Sequence, residues 1–304
     1  MKPGWKGIYP AITTPFTKEE ELDLPMFRHN LLAQIEAGID GLVLGGSLGE
    51  ASTITTEEKE ALVKEALHVC AGKIPVLMNV AEGSTREAIR QAQLAQSWGA
   101  DGLMLLPPMR YKSDDRETIE HFLAVAKSVS LPIMIYNNPV DYKIDTTPDM
   151  FEVLLQQPNI EAVKDSTRDI TNVTRLRNRF GERLKILGGV DTLAMEALLM
   201  GADGWVGGLV CAFPKETTAI FHLTKAGRIG EALAIYRWFM PLLELDIHPK
   251  LVQYIKLCQQ QVGLGTEYVR KPRLTLVGKE REEILAVIDK GIAGRPALPN
   301  FLTA

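Results

Sequence analysis

A four-residue pattern that occurs three times in this chain limits its possible folds more than any other feature. Glycine, an apolar residue, aspartate and glycine follow one another at 38–41, 99–102 and 201–204. Each copy comes after a helix-like segment and before an apolar run, as expected where a left-handed glycine ends a helix and a strand begins. The copies start 61 and 102 residues apart, which fits two and four strand–helix units of roughly 25–30 residues each. The chain is therefore predicted to repeat a βα unit.

The same spacing locates eight short apolar runs with helical patterns between them. The predicted strands are 7–13, 41–44, 76–80, 102–106, 133–136, 160–164, 184–188 and 204–208. The predicted helices are 23–37, 56–71, 85–98, 115–128, 147–157, 170–180, 192–200 and 215–226, with Thr85 and Thr147 as N-caps. Eight such units predict an α/β fold, a (β/α)8 TIM barrel over residues 1–226. A doubly wound open sheet is the alternative, but no G-x-G-x-x-G follows the first strand.

The pattern changes after residue 226. Only helical periodicity remains, over 228–247, 249–262 and 279–292. This part is too small to fold independently. We therefore expect residues 227–304 to form a C-terminal helical extension that packs on the barrel or on a partner subunit.

Composition excludes several classes of protein. The net charge is −4 and no run of Lys and Arg stands out, so neither nucleic acid nor an anionic membrane is an expected partner. The three cysteines are far apart and are expected to be free thiols in a reducing compartment. No apolar stretch approaches the ~18 residues of a membrane span. We expect a cytoplasmic protein.

The sequence contains no motif for a metal or a cofactor. Its five histidines are dispersed, without metal-ligand spacing, and there is no Walker motif. We therefore expect a reaction that uses neither a metal ion nor a cofactor.

The sixth predicted strand ends in Lys164, which is the first candidate for chemistry. Strands of parallel sheets are covered on both faces, so a charge at their end is either exposed or costly. One interpretation is a solvated lysine that pairs with Asp165. The other is an amine whose pKa is lowered by partial burial, so that it attacks a ketone and forms a Schiff base.

Other polar residues and glycines fall at the ends of neighbouring strands. In a barrel these carboxyl ends meet at one mouth, where active sites are built. Tyr136 is a candidate catalytic residue there. The candidate substrate-binding residues at or just beyond the other strand ends are Arg110, Tyr111, Gly189 and Val206. Arg110 would hold a second polar end of the substrate, although an arginine at a strand end is more often exposed.

The glycine-rich segment 45–49 after the second strand supports two hypotheses. Its backbone N–H groups would bind a carboxylate, as glycine-rich turns bind anions, while Ser47 passes protons. The segment also matches G-x-S-x-G, the nucleophile elbow of serine hydrolases, with Asp246 and His248 as partners of Ser47. Those two lie close together in the chain, and the βα repeat favours the first hypothesis.

Three motifs in this order resemble the dihydrodipicolinate synthase/N-acetylneuraminate lyase family. They are Gly46-Ser47-Leu48-Gly49-Glu50, Tyr136-Asn137-Asn138-Pro139 and Lys164-Asp165-Ser166. The resemblance, over residues 5–292, implies a barrel with a helical extension, usually a homotetramer. It also implies that Lys164 forms the Schiff base with a 2-oxo acid, that Tyr136 transfers protons, and that the Ser47 and Leu48 amides bind the substrate carboxylate.

The departures from that family's pattern concern the substrate. Leu48 replaces a threonine, Asp141 stands where the synthase has an arginine, and Arg110 stands where it has a tyrosine, with Tyr111 beside it. These departures argue against dihydrodipicolinate synthesis.

Segments 106–113, 248–257, 262–265 and 269–274 resemble those of members that deaminate 1-pyrroline-4-hydroxy-2-carboxylate in hydroxyproline breakdown. We therefore expect a small-molecule substrate, a 2-oxo acid or cyclic imino acid, with 2,5-dioxopentanoate and ammonia as products. A retro-aldolase or dehydratase of a 2-keto-3-deoxy sugar acid, a serine hydrolase and a non-catalytic 2-oxo-acid-binding protein remain alternatives.

Overall fold

The computed structural model describes residues 1–108 and 111–301 and contains an eight-stranded parallel barrel. The strands are β1 Gly7–Pro10, β2 Leu42–Leu44, β3 Val76–Val80, β4 Gly102–Leu105, β5 Ile133–Asn137, β6 Ile160–Asp165, β7 Lys185–Gly188 and β8 Gly204–Gly207. Neighbours in sequence pair in order, and β1 also pairs with β8. The strands β1 and β2 are joined by an isolated β-bridge between Ala11 and Val43. Beside it, Ile12 N donates to Val43 O at 3.0 Å. The predicted (β/α)8 barrel is confirmed.

Helices lie between the strands and after the last one. They are α1 Leu24–Glu36, α2 Thr56–Cys70, α3 Thr85–Ser97, α4 Asp115–Lys127, α5 Pro139–Tyr142, α6 Pro148–Leu154, α7 Thr171–Phe180, α8 Ala194–Leu199, α9 Pro214–Lys225, α10 Ile229–Leu243, α11 Leu251–Gln261 and α12 Gly278–Ala293. The sequence did not predict the one-turn helix α5. Across the described ranges, no helix combines the length and apolar character needed to cross a bilayer.

The N-cap prediction is correct at one of its two positions. Thr147 caps α6, but Ser84 rather than Thr85 caps α3, with Ser84 Oγ accepting from Glu87 N at 3.3 Å. Thr85 is already helical, and its hydroxyl lies 3.0 Å from Nδ1 of His121 instead. Ser84 and Thr85 are adjacent, and both residue types are typical N-caps, so the sequence does not distinguish them. The contact of Thr85 with His121 on α4 leaves Ser84 as the cap.

The structure explains the first glycine and the aspartate of the recurring tetrapeptide. The first glycine ends its helix with φ of 83° at Gly38, 93° at Gly99 and 104° at Gly201, a conformation that costs glycine little. The aspartate of each copy accepts a backbone N–H at the start of another strand. Asp40, Asp101 and Asp203 accept from Ile8, Val76 and Ile186 at 2.8, 3.0 and 2.8 Å. The repeat therefore ties neighbouring strands together at the amino-terminal end of the barrel.

The C-terminal extension packs against the barrel and reaches its carboxyl end. Helix α10 packs on α9, and α12 packs on α10. The helix predicted over 228–247 ends at Leu243, and a 3-10 turn, Glu244–Ile247, follows it. This turn packs on a second 3-10 turn, Asp191–Leu193, which follows β7. The extension therefore contributes residues to the mouth of the barrel.

A buried ion pair connects α11 to the loop after β2. Glu50 and Lys256 are 0% and 1% exposed, and Lys256 Nζ lies 2.5 Å from Glu50 Oε1. Lys256 also donates to the Tyr268 carbonyl at 2.6 Å, and Arg270 N donates to Glu50 Oε2 at 3.1 Å. Glu50 has a φ of 55°, which is uncommon for residues other than glycine. Such a backbone conformation persists only where surrounding contacts stabilise it. This network supplies those contacts.

We expect Lys256→Met to destabilise the protein by about 3–5 kcal/mol, because it leaves the Glu50 carboxylate buried without its partner. Urea unfolding monitored by circular dichroism measures this change. Lys250→Met is the matched control, because Lys250 pairs with Glu280 at 2.6 Å while its side chain is 46% exposed. An exposed pair contributes about 0–1 kcal/mol. Equal effects of the two substitutions would contradict a structural role for the buried pair.

Candidate active site

A cavity of about 80 Å³ lies at the carboxyl end of the barrel. One water needs ~10–15 Å³, so the cavity has room for a small organic acid. Seven of the nine predicted site residues line it: Gly46, Ser47, Leu48, Tyr136, Lys164, Gly189 and Val206. Tyr111 does not line it, because its side chain is 57% exposed at the surface of the chain. Arg110 lies outside the described residues.

Lys164 extends from β6 into this cavity and is 7% exposed. It is therefore not a solvated lysine, and no carboxylate of the described residues forms an ion pair with it. Asp165, the partner considered in the sequence, accepts from Thr167 N at 3.2 Å instead. Burial lowers the pKa of the Lys164 amine, and nearby acidic groups, Asp246 foremost, oppose that shift. A lowered pKa increases the fraction of neutral amine, the form that attacks a carbonyl or imine carbon.

Tyr136 comes from the adjacent strand β5 and lies beside Lys164. Lys164 Nζ is 4.2 Å from the centroid of the Tyr136 ring. Asn138 Nδ2 donates to the phenol oxygen at 3.1 Å. Burial raises the pKa of Tyr136 to about 12, partly offset by Asn138 and Ser166. The phenol is consequently protonated at neutral pH and is suited to donate a proton to a leaving group.

A second tyrosine, Tyr142, joins the site from helix α5. Its hydroxyl is 2.7 Å from Ser47 Oγ, and its ring lies edge-on to Tyr136 with centroids 5.6 Å apart. Burial also raises the pKa of Tyr142 to about 12. The helix begins because Asn138 caps it and Pro139 occupies its first position. The Ser47 and Tyr142 hydroxyls are therefore hydrogen-bonded to each other, and Tyr136 joins them through the contact between the two tyrosine rings.

The turn after β2 presents unpaired backbone N–H groups to the cavity. Among the described residues, neither the Ser47 nor the Leu48 amide has a hydrogen-bond acceptor. Two carbonyls of the turn are engaged by side chains. Thr14 Oγ1 donates to Gly49 O at 2.7 Å, and Asn79 Nδ2 donates to Gly45 O at 2.9 Å. Successive free amides in a fixed turn are a common binding site for carboxylates.

Two aspartates lie near Lys164 on the side of β7 and β8. Asp191 is 0% exposed and accepts from Trp205 Nε1 at 2.8 Å, Leu209 N at 2.8 Å and Gly208 N at 3.1 Å. Asp246, from the extension, lines the cavity itself. Burial raises the pKa of both carboxyls, and for Asp246 the charge of Asp191 raises it further. Acidic groups therefore surround Lys164 without pairing with it.

The residues considered for a serine hydrolase do not form a catalytic triad. Ser47 bonds to Tyr142 rather than to a histidine. His248 is exposed, stacks on Tyr254 with ring centroids 4.6 Å apart, and accepts from Lys250 N at 3.1 Å. Ser47 thus lacks the adjacent base that a nucleophilic serine requires.

Comparison with known proteins identifies the family. The model of the dihydrodipicolinate synthetase family matches residues 4–290. The chain belongs to this family. As a member, it is a class I aldolase-type lyase, an enzyme that forms a Schiff base with its substrate.

Relatives of known name cover nearly the whole chain. It is 34% identical to the 4-hydroxy-tetrahydrodipicolinate synthase of Exiguobacterium sibiricum over 90% of this chain and 92% of that protein. It is 35% identical to the protein of the same name from Ruegeria pomeroyi, over 88% and 92%. Among solved structures, a dihydrodipicolinate synthase from Acinetobacter baumannii, complexed with pyruvate, matches with a TM-score of 0.88 and 28% identity over 94% and 98% of the two chains. A further such synthase, from Bacillus anthracis, matches with a TM-score of 0.90 and 27% identity over 95% and 99%.

Several site residues were not found by sequence reasoning. Tyr142 and Asn138 belong to a helix of one turn, which is too short to produce a periodic signal. Asp191 lies beyond β7, in a segment whose only sequence signal is the glycine pair Gly188-Gly189. Asn79 is a polar residue in an otherwise apolar strand, and that contrast was an available signal.

We expect Gly189→Ala to reduce turnover on the order of 10²-fold, the scale associated with displacing a reacting group by about 1 Å. A Cβ at this position would lie 2.2 Å from Ser166 Oγ and 2.7 Å from Lys164 Cγ, so the lysine must move. Steady-state kinetics with the substrate proposed below measures the effect. Gly230→Ala is the control, because a Cβ there meets nothing within 4 Å. Normal turnover in Gly189→Ala would mean that Lys164 has more freedom than this packing allows.

Proposed function

We propose that this protein is a deaminase that converts 1-pyrroline-4-hydroxy-2-carboxylate to 2,5-dioxopentanoate and ammonia. Lys164 is the Schiff-base lysine of this reaction, Tyr136 and Ser47 transfer protons, and the turn containing Gly46 and Leu48 binds the substrate carboxylate. The reaction lies within the chemistry of the family, since it proceeds through a Schiff base.

The observation that supports this choice of substrate is the presence of acidic residues in the lining of the cavity. Asp141 and Asp246 both line the cavity. Asp141 is exposed at its mouth and accepts from Asn138 Nδ2 at 2.7 Å. Carboxylates there repel a second carboxylate on the substrate and favour an amine or a hydroxyl. Arg168 also lines the cavity and is exposed like Asp141, so these two opposite charges offset each other and the half-buried Asp246 supplies the acidic character. The cyclic imino acid has one carboxylate, a hydroxyl and a basic nitrogen, which fits this distribution.

The first half of the reaction opens the ring. The neutral Lys164 amine attacks C2 of the ring imine, the bond between C2 and the ring nitrogen breaks, and a protonated Schiff base forms on C2 with an amine on C5. The free amides of Ser47 and Leu48 hold the adjacent carboxylate during this step. Acidic side chains in the cavity stabilise the positive charge on the Schiff base and on the new amine.

The second half removes water and then ammonia. The Schiff base acidifies the protons on C3, because the electron pair left behind is delocalised as an enamine. The C4 hydroxyl then leaves as water after taking a proton from Tyr136, whose phenol is protonated at neutral pH. Tautomerisation gives an imine at C5, and its hydrolysis releases ammonia. A second water hydrolyses the Schiff base and frees 2,5-dioxopentanoate.

Synthesis of 4-hydroxy-tetrahydrodipicolinate is the second candidate, because the curated relatives carry that name. The position at which the synthase pattern has an arginine is Asp141 here. Leu48, which replaces the second hydroxyl of that pattern, lines the cavity and is 4% exposed. Both changes remove groups on which the synthase pattern relies, so this candidate is the weaker of the two.

We expect Lys164 to be the residue that becomes covalently modified. Borohydride reduction in the presence of pyruvate should add the mass of the reduced ligand to the peptide that contains Lys164, because hydride traps the Schiff base as a stable amine. Peptide mass spectrometry measures this. Lys250→Met should still be labelled at Lys164, since Lys250 is exposed and does not line the cavity. Labelling of another lysine, with Lys164 unmodified, would refute the assignment.

The products distinguish the proposed reaction from its alternatives. We expect the cyclic imino acid to yield equimolar ammonia and 2,5-dioxopentanoate, and 4-hydroxy-2-oxo acids to release little pyruvate, because no carbon–carbon bond breaks. Glutamate dehydrogenase and lactate dehydrogenase coupling detect ammonia and pyruvate. Rapid pyruvate release without ammonia would make the protein an aldolase. Formation of 4-hydroxy-tetrahydrodipicolinate would instead make it a synthase like its named relatives.

A further inference from the structure

Asp246 is the only residue on the 3-10 turn of the extension whose carboxyl enters the cavity. The other acidic residue of that turn, Glu244, is exposed and does not line it. Gly208, at the end of β8, makes room for this carboxyl, because a Cβ on Gly208 would lie 2.4 Å from Asp246 Oδ1. The C-terminal extension thus contributes a carboxyl group to the cavity that also contains Lys164.

The two aspartates beside Lys164 differ in what their oxygens contact. Asp191 has both oxygens engaged by Trp205, Gly208 and Leu209, so it is held in place as an acceptor. Among the described residues, no side chain hydrogen-bonds to the Asp246 carboxyl or pairs with it. Asp246 is therefore the carboxyl that is available to a substrate or to the lysine.

The positions of the strands place Asp246 and Tyr136 on different sides of Lys164. Tyr136 belongs to β5 and Lys164 to β6, and the two residues are register partners. Asp246 contacts Gly208 beyond β8, on the far side of β7. A molecule bound to Lys164 therefore has a phenol on one side and a carboxyl on the other.

The proton equilibria of Lys164 and Asp246 are linked. Besides burial, the charges of Asp191 and Asp141 raise the pKa of the Asp246 carboxyl, whereas the charge of Lys164 and the backbone N–H of Asp191 lower it. Asp246 is in turn the strongest of the charges that raise the pKa of Lys164. Moving the ammonium proton from Lys164 to Asp246 removes two opposite charges from a buried site at once, which reduces the cost of their desolvation.

We propose that Asp246 is an acid–base residue that accepts the proton of the Lys164 ammonium and returns it to the leaving group on C2. The inference rests on the proposed Schiff-base role of Lys164. Asp246 takes one proton, which leaves Lys164 as a neutral amine. That amine forms the new bond to C2. In the cyclic imino acid the ring nitrogen takes one proton from the attacking lysine nitrogen and one from Asp246. The bond from C2 to the ring nitrogen then breaks, and the nitrogen leaves as a primary amine. With a 2-oxo acid the same proton goes to the hydroxyl on C2, which leaves as water.

The rate of adduct formation in Asp246→Asn tests this proposal. Samples with pyruvate are quenched with borohydride at intervals, and intact-mass spectrometry gives the fraction of adduct. We expect the rate to fall about 10²-fold or more, the usual scale for loss of an acid–base group. A purely electrostatic role predicts the opposite sign. Removing the negative charge would lower the pKa of Lys164 further, supply more neutral amine and speed the attack. An unchanged or faster rate would therefore overturn the proposal.

Two further variants control the experiment. Glu244→Gln removes the same charge from an exposed site on the same turn and is expected to leave the rate unchanged. Gly208→Ala keeps the charge but fills the space of the Asp246 carboxyl, and it is expected to slow adduct formation as well. Thermal denaturation shows whether Asp246→Asn folds. If it does not, Gly208→Ala replaces it as the test, and a normal rate of adduct formation in Gly208→Ala would then contradict the proposal.

Failure of this inference can be separated from failure of the proposed function. Wild-type protein that forms no adduct would refute the Schiff-base role of Lys164 and the inference with it. Wild-type protein that forms the adduct but releases no ammonia from the imino acid would refute the deamination alone. In that case the comparison of adduct rates with pyruvate still decides the role of Asp246.

Discussion

The buried ion pair between Glu50 and Lys256 is the interaction on which the arrangement of the site depends. It joins the loop after β2, which carries Ser47 and Leu48, to helix α11 of the extension. A charge pair in the protein interior is costly unless its remaining hydrogen bonds are satisfied, and here Tyr268 O and Arg270 N satisfy them. The barrel and the extension are consequently held together at the edge of the cavity.

The same connection explains why the extension takes part in the site. Helix α11 lies directly after the turn Glu244–Ile247, which carries Asp246. Fixing α11 against the β2 loop therefore limits where that turn can lie. The same turn also packs on the 3-10 turn Asp191–Leu193. A segment outside the eight βα units thereby becomes one wall of the cavity at their carboxyl ends.

The site combines a buried amine with acidic neighbours that do not neutralise it directly. Desolvation lowers the pKa of Lys164, whereas the nearby carboxyls raise it. A direct ion pair would hold the amine in its charged form, which cannot attack. Because Asp191 is held by Trp205 and by backbone amides instead, its negative charge influences the lysine from a distance. This arrangement keeps the amine reactive while the cavity remains able to stabilise a cationic Schiff base.

Local sequence patterns predict the barrel and most of the residues that line its cavity. These patterns are local, because each involves residues that are close together in the sequence. They are the alternation of strands and helices, the glycine–aspartate repeat and the apolar strand that ends in Lys164. Because parallel strands converge at their carboxyl ends, those patterns also brought Ser47, Tyr136 and Gly189 to one cavity. The position of Tyr142 depends instead on how the chain packs, because Tyr142 lies on a single helical turn after β5. The same holds for Asp246, which lines the cavity together with Lys164 although the two lie 82 residues apart in the chain. Tyr111 was expected at the cavity and lies exposed instead. The physical reason is that contacts between distant segments depend on how helices pack, and packing leaves no periodic signal in the residues that it brings together.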